Sequence, residues 1–334
     1  FYGSLAYNKE DGLFVNNGYS RLNGRLRLDH SKGRLSLSMG LNGTRSRYDG
    51  AVQSGDGYAN IGVLETAIVS RPLVFENPLA VSTQGGWRKP TDNLKYLDRN
   101  ISTPNLSSNL VINYRLIDGL YIGNTLSGSM VTSKVNEYYS KNTPWGYYLG
   151  GRGAISASDW YGWTNFTTLS YERSFANQSK LSALGVFEIS GSRYEYHHII
   201  KSGFADESTG IHDISKGEEL QAAGSGAGLS NRLSYLGRLN YHIKDRYLFT
   251  TSLRLDGSDR FGKNQRYGLF PSAAFAWRIS EEAFLDRPWL DDLKLRLSYG
   301  ATGNSNISEF RYMAQMGNVF YDDKLGMIPT SLPN

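Results

Sequence analysis

Few residues in this chain are spaced for bond chemistry. His197 and His198 are adjacent, so on a strand they point to opposite faces and cannot grip one metal ion together. Cysteine is absent from all 334 residues, which removes disulfide scaffolds and thiolate metal sites. Asp256, Asp259 and Asn264 carry oxygens of the kind calcium takes, but their spacing is not that of a twelve-residue EF-hand loop; a polar hairpin tip is the plainer reading. The run Gly224-Ser225-Gly226-Ala227-Gly228 lacks the strand before and helix after that a phosphate-cradling loop requires, and reads as a flexible loop. Glu218-Glu219 and Glu281-Glu282 read as solvated charges. No Ser-His-Asp set or paired-carboxylate arrangement stands out. The chain is therefore not read as an enzyme, and neither a cofactor nor a metal is expected.

Aromatic side chains offer a better prospect. Trp145, Tyr147 and Tyr148 follow Pro144, Trp160, Tyr161 and Trp163 come shortly after, and Trp87 lies further upstream. Flat aromatic faces beside polar groups suit sugar rings or peptide side chains. Trp87, Trp145, Tyr147, Tyr148, Trp160 and Trp163 are the substrate-binding candidates. For the segment from Trp160 to Trp163 the competing reading is anchorage at a bilayer boundary, where amphipathic rings collect.

The elements that would position these residues are strands. Residues 19–29 place Leu22, Leu26 and Leu28 on one face and Arg21, Asn23, Arg25, Arg27 and Asp29 on the other, since a strand alternates its side chains. After His30-Ser31-Lys32-Gly33, residues 34–48 repeat the split with Leu35, Leu37, Met39 and Leu41. The same alternation marks 1–8, 106–117, 120–132, 160–173, 180–191, 231–243, a strand from Tyr247, 266–279 and 293–302. That makes eleven strands, and none shows the three-and-four spacing of a helix.

The connectors alternate too. Tight turns stand at Gly33, at Asp118-Gly119, around Asn177 and at Lys244-Asp245. Between them come long connectors at 49–105, 133–159 and 192–230, with ten residues after the first strand and a moderate loop at 257–265. Residues 280–292 form a middling connector with a helical turn near Glu281–Leu285, and an irregular tail opens from Gly303. Short turns on one side and long loops on the other belong to an antiparallel, up-and-down transmembrane β-barrel. In that fold Arg232, Arg238, Arg254, Asp256 and Arg296 face the lumen, where they touch substrate, solvent or whatever fills the barrel.

Composition agrees. No apolar run approaches the eighteen or so residues of a spanning helix, and a slightly negative mean hydropathy is compatible with strands that are half polar. The 23 tyrosines, 14 phenylalanines and 6 tryptophans suit a bilayer boundary. The net charge of +5 is small for 334 residues and is spread over many strands, so no nucleic-acid partner is expected. No composition shift marks a domain boundary. Eleven strands with open edges read as half a ring.

Several segments carry a resemblance. Leu253-Arg254-Leu255-Asp256-Gly257-Ser258-Asp259-Arg260-Phe261-Gly262 leads, with Tyr267 to Ser272 and Trp277 to Glu282. Leu293 to Gly300, Thr302-Gly303-Asn304 and Ser234 to Tyr241 follow, and Ser4 to Asn8, Asp11-Gly12 and Tyr19-Ser20-Arg21 add to it. These resemble the SusC/RagA type of TonB-dependent outer-membrane transporter, densely over 231–304, moderately over 1–48 and weakly in the long connectors. The resemblance implies that residues 1–334 are part of a large plugged barrel, with the plug, the TonB box and the C-terminal strands outside the chain. It implies the outer membrane of a Gram-negative, Bacteroidota-like cell. Its partners would be outer-membrane lipid, TonB of the inner-membrane complex and a SusD-like surface lipoprotein lid, and its cargo an oligosaccharide or oligopeptide nutrient. A passive porin and a soluble β-rich glycan-binding surface protein are the alternatives.

Overall fold

A computed structural model describes residues 1–50, 68, 90–285, 291–307, 312–313, 315–321 and 324–331. Eleven strands form one antiparallel sheet: β1 (Tyr2–Asp11), β2 (Gly18–Lys32), β3 (Leu35–Asp49), β4 (Leu97–Ile117), β5 (Leu120–Tyr139), β6 (Arg152–Ser174), β7 (Lys180–Phe204), β8 (Gly217–Ile243), β9 (Tyr247–Ser258), β10 (Tyr267–Arg278) and β11 (Lys294–Gly300). Each strand pairs with the next in chain order, and β1 does not meet β11, so the sheet is not closed. A short helix, α1 (Pro90–Tyr96), leads into β4, and a second, α2 (Pro144–Leu149), joins β5 to β6.

The alternation seen in the sequence becomes two continuous faces. On one, Met39 pairs Leu110 and Leu110 pairs Leu126. Phe187, Tyr235, Leu255 and Leu269 stand side by side across β7 to β10, and so do Tyr241, Phe249, Phe275 and Leu297 across β8 to β11. These side chains touch along the sheet, with the Phe249 and Phe275 rings 4.9 Å apart. Nothing covers them: Leu126 is 45% exposed, Tyr235 47% and Leu297 59%. The rows fill a belt about eleven residues deep above the tight turns, the span of a membrane-crossing strand. Asn124, Asn165 and Thr167 interrupt it, but they satisfy one another: Asn124 Nδ2 donates to Thr167 Oγ1 at 2.9 Å and Asn165 Nδ2 to Asn124 Oδ1 at 3.1 Å. A polar group facing hydrocarbon must find its partner within the protein.

The other face is small and polar. Ser107, Ser129, Gly162, Ser192 and Ser230 form one row, and Asn109, Ser127, Thr164, Ser190, Arg232 and Ser258 form the next. The tight turns have the expected chemistry. Lys244 and Asp245 both adopt positive φ, at 49° and 53°, the pattern of a two-residue type I′ hairpin. Gly119, at φ 80°, packs so closely that a β-carbon would lie 2.2 Å from the Glu172 carbonyl oxygen.

Two expected loops prove to be largely strand, and the described end of a third does too. β4 begins at Leu97, inside the connector expected over 49–105; β5 runs on to Tyr139 and β6 starts at Arg152; β7 reaches Phe204 and β8 starts at Gly217. β8 has 27 residues, roughly 90 Å at about 3.4 Å each, far taller than an apolar belt. Gly224 to Gly228 are therefore strand, not flexible loop. Here the rings of β7 replace missing side chains on β8. A β-carbon at Gly226 would fall 2.5 Å from Tyr196 Cε1, and one at Gly224 would fall 2.8 Å from His198 Cε1. Glycine in a strand often marks such a close approach. The tail after Gly303 also contains strands, β12 (Gln315–Tyr321) and β13 (Lys324–Ser331), which pair only with each other. The connector after β10 holds two single turns of 3-10 helix, Ile279–Glu281 and Ala283–Leu285.

A compact cap sits where β5 to β8 rise beyond the belt. Tyr138, Phe204 and Ile211 form its core, with Ile155 and Ile214 against it. The Tyr138 and Phe204 rings meet edge to face at 5.1 Å. Glu207 ties three backbone and side-chain donors together: Tyr138 Oη at 3.0 Å, the Lys141 backbone N–H at 2.8 Å and Ser140 Oγ at 3.3 Å.

Candidate functional site

Strand register puts Arg232, Arg238, Arg254, Asp256 and Arg296 on one face. From β8 to β11 the pairings Arg238↔Ser252, Arg254↔Leu236, Asp256↔Ser234 and Arg296↔Ala276 keep the same parity, so all five share the small polar surface. Their charges are not equivalent. Arg254 Nε lies 2.7 and 2.8 Å from the two Asp256 carboxylate oxygens, and its Nη2 lies 3.7 Å from Glu188. That guanidinium is largely satisfied within the protein.

Trp160 stands on the same polar face, in register with Tyr194 of β7 and Gly228 of β8. Its ring lies along its own strand over Gly162, where a β-carbon would come within 2.3 Å of Cη2. Below the ring the sheet forms a recess of about 530 Å³, lined by Trp160, Ser190, Ser192, Ser230, Arg232 and Arg260 among others. Ser230 is 8% exposed. Arg260 reaches in from the β9–β10 turn; its Nη1 donates to the Ile307 carbonyl at 3.0 Å. The serines escaped the sequence reading because small hydroxyl residues look like filler until register stacks them. Arg260 escaped because it sits in a connector.

The other aromatic candidates go elsewhere. Tyr161 and Trp163 alternate with Trp160 and stand on the exposed apolar face, beside Met130 and Gly128 of β5. Trp160 and Trp163 therefore do not form one site. Tyr147 and Tyr148 lie on α2, rings edge to face at 5.5 Å and both exposed. Thr143 caps that helix, its Oγ1 accepting the Gly146 N–H at 3.0 Å, and Gly150 ends it in the left-handed region. α2 joins β6 at Arg152, eight residues above Trp160 and so about 27 Å away along the strand. Trp87 and the Trp145 side chain lie outside the described residues.

Two of the three residues weighed as calcium ligands hold other partners. Asp256 holds Arg254, and Asp259 Oδ2 accepts the Asn231 backbone N–H at 2.7 Å and its Nδ2 at 3.0 Å. Among the described residues no cluster of three His, Asp or Glu side chains is placed to hold a metal ion. His197 and His198 stand on opposite faces of β7, and the His198 ring stacks on Tyr196 at 6.4 Å. At the cap, burial first and then the Glu207 hydrogen bond push the Tyr138 hydroxyl well above its usual pKa.

No family model matches the chain. It is similar to a TonB-dependent receptor of Formosa agariphila, 28% identical over 323 residues, covering 93% of this chain and 32% of that protein. It is also similar to the TonB-dependent receptor SusC of Bacteroides thetaiotaomicron, 38% identical over 166 residues, 47% of this chain and 16% of SusC. Among solved structures the RagAB peptide transporter superposes on the whole chain with a TM-score of 0.79, at 21% identity and over 38% of its own length. At that identity the likeness carries the fold. The chain spans about a third of the length of the Formosa relative.

Proposed function

We propose that the chain, which is similar to SusC/RagA-type TonB-dependent receptors and spans about a third of the length of its Formosa relative, forms part of the wall of an active outer-membrane importer. The single observation that supports this most is the two-faced sheet: an uncovered apolar belt of spanning depth backed by a face rich in Ser, Gly, Asn and Arg. A soluble monomer does not leave so large an apolar band open to water. The unpaired outer edges of β1 and β11 need strand partners in hydrocarbon, and the rest of the receptor supplies them. Eleven strands are half of the 22 found in plugged transporters.

In this reading the belt faces lipid and the polar face lines the lumen. Energy comes from TonB acting on a plug, and a SusD-like lipoprotein covers the extracellular mouth. The RagAB structure is described as a peptide transporter, so an oligopeptide stands beside an oligosaccharide as cargo. The wall makes and breaks no covalent bonds. Removing the TonB-engaging segment from the full-length receptor is expected to abolish uptake while the barrel stays inserted and shifts on an unheated gel. Undiminished uptake by that variant would mean a passive porin.

A further inference from the structure

Although Asp256 acts on Arg232 from further off and Asp259 neighbours Arg260 in the chain, no carboxylate among the described residues contacts the two guanidinium groups that line the recess beneath Trp160. Arg232 and Arg260 both line it, and among the described residues no carboxylate oxygen lies within 4.0 Å of either guanidinium. Arg254, one row nearer the tight turns, shows the contrast, with Asp256 and Glu188 already beside it. Arg260 also has an Nε that is shut off from solvent and finds no acceptor, although its Nη1 donates to Ile307 and Asn306. Ser230 also lines the recess; the residue is 8% exposed overall, and its hydroxyl, which makes no hydrogen bond within the described residues, stays open to the recess. A buried donor without an acceptor, as at Arg260 Nε, is costly, and two guanidinium forks with no carboxylate in contact favour a planar anion that both can reach.

We infer that this recess binds a carboxylate carried by the imported oligomer, with Arg232 and Arg260 supplying charge and Ser230, flanked by Ser190 and Ser192, donating hydrogen bonds. The inference rests on the import reading and names the class of cargo. Trp160 closes one wall with an aromatic face, which suits the ring or side chain that bears the acid. The same chemistry is offered by a uronic acid residue of an oligosaccharide and by the free C-terminus of a peptide.

The test uses the full-length receptor in detergent and two matched probe pairs, read by calorimetry. One pair is trigalacturonate against its methyl ester; the other is a short peptide acid against its C-terminal amide. The acid of at least one pair is expected to bind roughly tenfold or more tightly than its neutral partner, and which pair does so identifies the source. Arg232→Gln and Arg260→Gln should each erase that preference, with mobility on an unheated gel reporting that the barrel is folded. Arg232→Lys should keep part of the preference, and Ser230→Ala should reduce it several-fold. Equal affinity for acid and neutral forms in both pairs, or a preference that survives both glutamine variants, overturns the inference. TonB-dependent uptake of any nutrient in the same strain is measured separately. If uptake persists without an acid preference, the carboxylate site falls and the importer stands.

Discussion

The belt and the cap are built from the same strands but held together by different solvents. In the belt, Leu110, Leu126, Phe187, Tyr235, Leu253 and Leu297 stand in rows with nothing over them. In the cap, a few residues higher on β5 to β8, Tyr138, Tyr139, Ala154, Phe204 and Ile211 are buried, and these are the only buried hydrophobic residues among those described. A water-type core therefore exists only where the sheet rises beyond the belt. Below it the apolar surface is left for lipid, and stability depends on every backbone and side-chain polar group finding a partner inside the wall.

Breaking the cap core tests the difference most strongly. Phe204→Ala removes the ring packed against Tyr138 and Gly153, and a loss of about 3–5 kcal/mol is expected there. Hydrogen exchange should show residues 205–216 opening, while membrane insertion, read by mobility on an unheated gel, stays intact. Loss of insertion would mean that cap and belt are one cooperative unit.

A charge in the belt should do the reverse. Leu253→Arg turns a half-exposed belt residue into a cation in hydrocarbon, costing roughly 2–4 kcal/mol near the midplane. The folded fraction recovered in vesicles should fall while cap protection in the surviving barrels is unchanged. Ser252→Arg, one residue away on the polar face, should cost less than about 0.5 kcal/mol. Equal losses for the two variants would contradict the assignment of faces.

Glu207→Gln sharpens the cap further. It removes the charge that three donors converge on, and about 1–3 kcal/mol of local stability should go with it, seen as faster exchange at Lys141 and through 205–216.

The smallest effect belongs to Asp206. The Lys216 ammonium 2.5 Å away, helped by Ser208, holds its carboxyl well below the usual range. A carboxyl depressed in the folded state stabilises fully above its unfolded pKa, and that stabilisation fades as pH falls through the lower folded value. Protection in 205–216, taken relative to the intrinsic exchange rate at each pH, should therefore be flat from neutrality down to about pH 4 and fall only in stronger acid. Asp206→Asn should show the slightly lower protection already at pH 7 and no further acid response.

How much of this was legible depended on contrast between neighbouring residues. Alternating Leu and Arg in 19–29, or Tyr and Asn in 231–243, announced both strand and face, because a charge and a hydrocarbon cannot share one solvent. The upper halves of β7 and β8 carry no such contrast. Gln221-Ala222-Ala223-Gly224-Ser225-Gly226 reads as loop, and it is strand because β7 pairs with it and lays Tyr196 and His198 over its glycines. The aromatic candidates divided in the same way. Trp160 and Trp163 were grouped as one candidate set although their odd spacing alone puts them on opposite faces, whereas the distance between Trp160 and the tyrosines of α2 follows from how far β6 climbs.

The sequence by itself determined the eleven strands, their order and which side of each is apolar, since period-two patterning is a local property that any strand must express. Only the tertiary structure decided the height of the wall, the cap core and the recess. Those depend on which residues of distant segments share a row, and a serine or an arginine carries no mark of the neighbour that register will bring beside it.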